Sequence, residues 1–247
     1  MKLAIMQPYF FPYIGYFQLI NAVDKFIVYD DVNFIKRGWI NRNQILMNHS
    51  YKSLITVPLK HKSSFLKIRE IEIDNSDNWR KKLLKILEYN YKKAPFFNEI
   101  FPILNIIINF NTNLLSEFNI NSIKELCKYL EIKTFIQSNT QKYQDIENYL
   151  CDYNKSINKP IDTKVVRILE ICKKENANIY INPIGGIELY NKEDFKKNGL
   201  ELFFLKTLDI RYKQFNNEFI PNLSIIDVMM FNSVDEINKM LDNYELF

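Results

Sequence analysis

Met6-Gln7-Pro8-Tyr9-Phe10-Phe11-Pro12-Tyr13-Ile14-Gly15-Tyr16-Phe17 is the stretch that decides the fold. Residues 2–6, running into it, are short and mostly apolar, the pattern of a strand buried in a parallel sheet. Beyond it, residues 17–23 carry apolar side chains at helical spacing. The two prolines between fix φ and donate nothing to a ladder, so strand and helix both break in the link. Gly15 opens the helix without a Cβ, which lets a ligand or another backbone approach the first free N–H groups. Strand, proline-rich turn, glycine and helix is the arrangement that sets a phosphate or carboxylate at a helix N-terminus in open α/β sheets. A turn packed with aromatics and binding nothing fits the same residues equally well.

Outward from this stretch, residues 25–32 read as a second strand ending in Asp30 and Asp31. A right-handed crossover brings those carboxylates to the same sheet edge as the first turn. Residues 34–43 are polar, basic and aromatic, with Gly38 marking a tight bend. Residues 53–59 and 66–73 read as the strands of a small β excursion, joined by a basic loop. Asp77 is placed to cap a helix running to about residue 93, and helical patterns follow at 98–118 and 122–130. Strands at 133–137, 178–182 and 200–205 alternate with helices at 162–174 and 192–198, the latter closed by Gly199. Residues 141–159 are polar and read as a loop or lid. Ser224 caps a helix at 225–231, and a last one covers 234–241.

The pattern predicts the α/β class: a Rossmann-like doubly wound, mainly parallel sheet with a small β excursion, a helical insert and C-terminal helices. The expected organisation is one domain over 1–247, with the N-terminal part of the sheet in 1–75, the helical insert in 76–130 and the rest of the sheet in 131–247. Neither G-x-G-x-x-G nor G-x-x-x-x-G-K-[ST] occurs, which disfavours a standard dinucleotide fold or P-loop ATPase.

Apolar residues make up 47% of the 247 and charged residues 25%, a globular composition. The net charge of +4 suits a nucleotide or another small anion and is too small and too spread for a nucleic-acid surface. Three cysteines with no C-x-x-C pair read as reduced thiols of a cytoplasmic protein, and two histidines in Asn- and Lys-rich loops give no metal centre. The N-terminus shows no leader pattern and no segment is apolar enough to span a bilayer, so no membrane insertion is expected.

The sequence resembles the WbqC-like protein family. Gln7-Pro8-Tyr9-Phe10-Phe11-Pro12-Tyr13-Ile14-Gly15-Tyr16-Phe17, Tyr29-Asp30-Asp31-Val32 and Lys36-Arg37-Gly38-Trp39-Ile40-Asn41-Arg42-Asn43 carry the resemblance early in the chain. Ile181-Asn182-Pro183-Ile184-Gly185-Gly186 and Phe219-Ile220-Pro221-Asn222-Leu223-Ser224-Ile225-Ile226-Asp227 carry it later. The resemblance implies a place among the enzymes that make bacterial surface polysaccharides and modified sugars, in lipopolysaccharide or O-antigen biosynthesis. Tyr13-Ile14-Gly15-Tyr16 also has the spacing and position of the His-x-Gly-His signature of nucleotidyltransferases and related ligases, with tyrosines in place of both imidazoles. A neutral phenol donates one hydrogen bond and carries no charge, so cations from elsewhere must hold any phosphate.

The expected catalytic groups are Asp30 and Asp31, to orient or deprotonate an amine, and Arg37 and Arg42, to grip a diphosphate or carboxylate. The expected binding residues are Gln7, Tyr9, Tyr13, Gly15, Tyr16, Lys36, Trp39 and Asn41, joined by Lys164, Arg167, Gly185 and Gly186. For each, ordinary core packing or solvated surface charge is the competing reading. Asp227 either points into the cleft or extends the charge of its helix's first turn. The expected activity is acyl or aminoacyl transfer onto a nucleotide-linked amino sugar, with ATP and Mg²⁺ as the expected cofactors if the chemistry is ATP-driven. The alternatives are glycosyl or nucleotidyl transfer in the same pathway, or a non-catalytic scaffold.

Overall fold

The computed structural model describes residues 1–156, 163–215 and 218–247. The chain begins as expected, with β1 (Lys2–Met6), α1 (Ile14–Asn21) and β2 (Lys25–Val28). A hairpin follows, β3 (Arg42–Met47) and β4 (Tyr51–Thr56), then three helices, α2 (Trp79–Tyr91), α3 (Phe97–Ile108) and α4 (Leu115–Tyr129). The second half runs β5 (Phe135–Gln137), α5 (Gln144–Ser156), α6 (Thr163–Lys174), β6 (Ile179–Pro183), α7 (Lys192–Lys197) and β7 (Glu201–Thr207). It closes with α8 (Ile225–Phe231), α9 (Val234–Leu241) and β8 (Tyr244–Leu246).

The main sheet has the order β5-β2-β1-β6-β7-β8. Its first five strands are parallel, and β8 adds an antiparallel edge. This is a Rossmann-like arrangement in which the strand order reverses between β1 and β6, and a doubly wound sheet opens its crevice at such a switch point. Strand alternation divides the core. Ala4, Phe26, Val28, Ile181 and Leu205 pack on one face with α1, α4, α8 and α9. Leu3, Ile5, Ile27, Tyr180 and Phe204 pack on the other with α5, α6 and α7. Both faces are covered, which is why the strands read as near-continuous apolar runs.

Several expectations are corrected. The β excursion is the hairpin 42–47/51–56, not strands at 53–59 and 66–73. Its strands are joined by the three residues 48–50, with Asn48 and His49 both at positive φ (46° and 60°) and no glycine. Residues 66–73 hold a 3-10 turn at Ile68–Glu70, because Ile68, Ile71 and Ile73 all go into the core. The helical pattern at 98–118 is two helices, with the break at 109–114. The helix after Asp77 starts at Trp79 with Asn78 at its N-cap, and the Asp77 carboxylate accepts from the Asn78 N–H instead. The loop or lid read at 141–159 is helical wherever it is described, since Tyr143, Ile146 and Leu150 turn one face inward. Residues 157–159 of that reading, and Asp162 of the next helix, lie outside the described residues.

At the amino-terminal rim, Glu175 accepts from Lys25 (2.6 Å), Lys142 (2.6 Å) and Tyr143 (2.5 Å). Burial raises its pKa, but the hydrogen bonds from these three outweigh that and bring it down to about 2. The pair with Lys25 ties the end of α6 to the start of β2.

Candidate functional site

The opening loop is held in one shape by buried side chains. Phe11 sits at φ 40°, a left-handed conformation that a phenylalanine adopts only under constraint. Asn43 donates to the carbonyls of Phe10 (3.0 Å) and Phe11 (2.8 Å), Ser224 Oγ donates to Phe11 O (2.7 Å), and Asn119 donates to Pro8 O (2.9 Å). Tyr16 is fully buried and its hydroxyl donates to Gln7 O (2.8 Å). Gly15 is required by packing, because a Cβ there would stand 2.4 Å from the Tyr13 ring and 2.6 Å from Thr207 Oγ1. The start of α1 is therefore covered by the chain's own groups, and Tyr13, Gly15 and Tyr16 support the loop from behind.

What the loop presents outward is Gln7 and Tyr9, at one side of a cleft of about 800 Å³. The cleft lies at the switch point, beyond the carboxyl ends of β1, β2 and β6. Gly185 and Gly186, following β6, form its second side. Gly185 has no heavy atom within 4 Å of where a Cβ would stand, so its backbone faces open space. At Gly186 a Cβ would come 2.0 Å from Asn182 Nδ2. Gly185→Val is thus expected to fold normally and to weaken ligand binding by about tenfold or more by filling the cleft. Gly186→Val is expected to lower the melting temperature. Melting curves and titration of the two purified variants check the contrast.

The third side is charged. Arg167 on α6 donates Nε and Nη2 (2.9 Å) to the two carboxylate oxygens of Glu147 on α5, and Tyr29 donates its hydroxyl to the same carboxylate (2.6 Å). Burial pushes the Glu147 carboxyl up, but the bonds from Arg167 and Tyr29 outweigh it and leave the group below its ordinary value. Asp31, at the end of β2, is buried beneath Lys67 and Arg69 and pairs with both, the Arg69 contact at 3.2 Å. Lys67, Lys164 and Arg167 are the cations of the cleft lining, against Asp31 and Glu147.

Of the residues expected from sequence, Gln7, Tyr9, Asp31, Lys164, Arg167, Gly185 and Gly186 come together in this cleft. Asp30 turns away, its carboxylate accepting from Ser116 and from Thr140 (2.5 Å). Asn41 is buried and donates to Val57 O (3.0 Å). Arg42 closes its own loop by donating to Gly38 O (3.1 Å) and Arg37 O. Lys36, Arg37 and Trp39 are exposed on the neighbouring loop, of which Val32, Asn33 and Ile35 line the cleft. The positive charge of the site thus comes from Lys67, Lys164 and Arg167 rather than from residues 36–42. Glu147, Tyr29 and Lys67 are site residues that the sequence reading missed. The helical spacing of Tyr143, Ile146 and Leu150 was the signal that would have put Glu147 on an ordered element.

Among the described residues no cluster of three or more His, Cys, Asp or Glu is arranged to hold a metal ion. No helix among them is long and apolar enough to cross a membrane. The Cys127 and Cys172 thiols are pushed up to about 12 by burial.

Comparison with known proteins adds two findings. The sequence model of the WbqC-like protein family matches residues 7–239. The chain is also similar to the uncharacterized protein Rv1507c of Mycobacterium tuberculosis strain H37Rv, with 33% identity over 234 residues, covering 94% of this chain and 93% of that one. No solved structure matches the chain.

Proposed function

Because the chain belongs to the WbqC-like protein family, we propose that it is an enzyme of bacterial surface-glycan or sugar-nucleotide biosynthesis, transferring an acyl or aminoacyl group such as glycyl onto a nucleotide-linked amino sugar. The observation that carries this reading is the switch-point cleft, which combines the open backbone of Gly185 with Lys67, Lys164 and Arg167. A diphosphate needs that combination of a backbone it can approach closely and cations to neutralise it. Tyr9 and Tyr190, also in the lining, offer ring faces to a base or sugar.

Amide formation at the sugar nitrogen expels the acyl donor's activating group and releases one proton from the amine. Asp30 is committed to Ser116 and Thr140, and Asp31 is covered by Lys67. Glu147, held by Arg167 and Tyr29 but lining the cleft, is the carboxylate we assign to the amine, with Asp31 holding Lys67 toward the phosphates. ATP with Mg²⁺ would serve where the acyl group arrives as a free acid.

Thermal-shift titration with UDP- and dTDP-linked amino sugars tests the reading, each alone and with glycine and MgATP. An amino-sugar nucleotide should raise the melting temperature more than the matching hydroxy-sugar nucleotide, and the donor should raise it further. Equal shifts for amino and hydroxy sugars would favour glycosyl or nucleotidyl transfer. No shift with any sugar nucleotide would remove the proposed site.

A further inference from the structure

Two loops meet in register at the mouth of the cleft. Asn33 and Lys67 form an antiparallel bridge, and the Phe34 N–H donates to Leu66 O (2.9 Å). Ile35 follows the bridge on one loop, and Phe65 precedes it on the other, in a turn where its N–H donates to Ser63 Oγ (3.2 Å). Asn33, Ile35 and Lys67 all line the cleft, and Phe65 lies two residues before Lys67 on the same loop. Phe65 is 92% exposed and Ile35 52%, while on the facing lip the cleft-lining Leu189 is 48% exposed.

The same two loops are uniformly basic. Residues 32–42 and 59–69 contain no Asp or Glu, and Lys36, Arg37 and Lys62 stand exposed beside the apolar pair. We propose that this lip docks the protein on an anionic phospholipid surface, with Phe65 and Ile35 entering the headgroup region and the three cations meeting lipid phosphates. The cleft then opens toward the bilayer. Exposed aromatic and aliphatic side chains set among Lys and Arg are what peripheral attachment to an acidic leaflet requires, since neither part holds alone.

Two other occupants fit less well. A second copy docking through the same patch would set its cations against an identical set, a like-charge contact that a twofold interface cannot escape. A handful of apolar side chains also falls well short of the roughly 800 Å² per partner that a stable protein interface buries. The proposal does not depend on which ligand occupies the cleft.

Co-sedimentation of the full-length protein with vesicles of phosphatidylcholine alone, and mixed with phosphatidylglycerol, is the test. Trp39 gives a second readout: it is 43% exposed on the loop of Ile35, whereas Trp79 is buried in the core. Binding is expected to the mixed vesicles only, at low salt, with a blue shift of tryptophan emission that Trp39→Phe removes. The double variant Ile35→Ser/Phe65→Ser should bind about tenfold less, and Lys36→Glu/Arg37→Glu/Lys62→Glu should not bind. All are surface changes, and circular dichroism checks that each variant is folded. Absence of binding to acidic vesicles would overturn the proposal. So would binding that survives Ile35→Ser/Phe65→Ser, or a dimer that those substitutions dissolve.

Discussion

Asp227→Ala is expected to lower stability by about 3–5 kcal/mol, the range for removing one partner of a buried charged network. The Asp227 carboxylate is fully buried on α8 and accepts from Tyr91 (2.8 Å), Tyr212 (2.7 Å) and Gln214 (2.6 Å). Alanine would leave the Tyr91 and Tyr212 hydroxyls without an acceptor, while Gln214 keeps its bond to Ile220 O (3.0 Å), and each lost bond incurs a desolvation cost. For a chain of this length that is a fall in melting temperature on the order of 10 °C. The damage would also reach the cleft, because the Ser224 that caps α8 holds the carbonyl of Phe11. Burial pushes the Asp227 carboxyl above the usual carboxylate range, and the hydrogen bonds from Tyr212, Tyr91 and Gln214 hold back part of that rise. A carboxyl raised in the folded state binds its proton more tightly there than in the unfolded chain. Its contribution is therefore fullest below the ordinary carboxylate pKa and declines as pH rises through the folded value. The gap between wild type and Asp227→Ala should narrow across that window, measured by thermal melts from acid to neutral pH. A gap that widens would contradict a raised Asp227.

Asp227 also shows where the sequence stops being readable. A carboxylate in the first turn of a helix after Ser224 suggested either the cleft or a charged helix end, and the residue lines no part of the cleft. Its partners lie 136, 15 and 13 residues away along the chain, a pairing that no local pattern encodes. The parallel strands were legible because each is a short apolar run covered on both faces, and the helices around them carry period-3.6 stripes. The hairpin was not, because Asn48 and His49 make a turn usually signalled by glycine, and Arg42 and Asn43 open a strand with polar residues. In the site, Gln7, Tyr9, Gly185 and Gly186 were found because proline and glycine mark backbone turns at strand ends. The distribution of charge was not. Arg42 and Arg167 look alike in sequence, yet one guanidinium closes its own loop and the other is held by a carboxylate on the charged side of the cleft.

Arg167→Ala is expected to weaken sugar-nucleotide binding by about 10- to 100-fold, equivalent to the loss of a charge-assisted, forked hydrogen-bonding group. Its effect on folding should be smaller than that of Asp227→Ala, about 1–3 kcal/mol, because Glu147 keeps the Tyr29 hydroxyl and borders the cleft. Arg167→Lys should not rescue, since an ammonium is a single point charge and cannot satisfy both Glu147 oxygens while facing a phosphate. Calorimetric titration of the three proteins with the ligand that stabilises wild type most strongly gives the numbers. If Arg167 acts only by holding Glu147, then Glu147→Gln should lose as much affinity as Arg167→Ala, and the double variant no more than either. If the guanidinium meets the ligand's phosphates itself, Glu147→Gln should lose less affinity than Arg167→Ala, because it keeps the phosphate contact and gives up only the carboxylate assigned to the amine. The cleft's excess of cations over carboxylates favours the second outcome. Unchanged affinity in Arg167→Ala would mean that the phosphates lie elsewhere in the cleft.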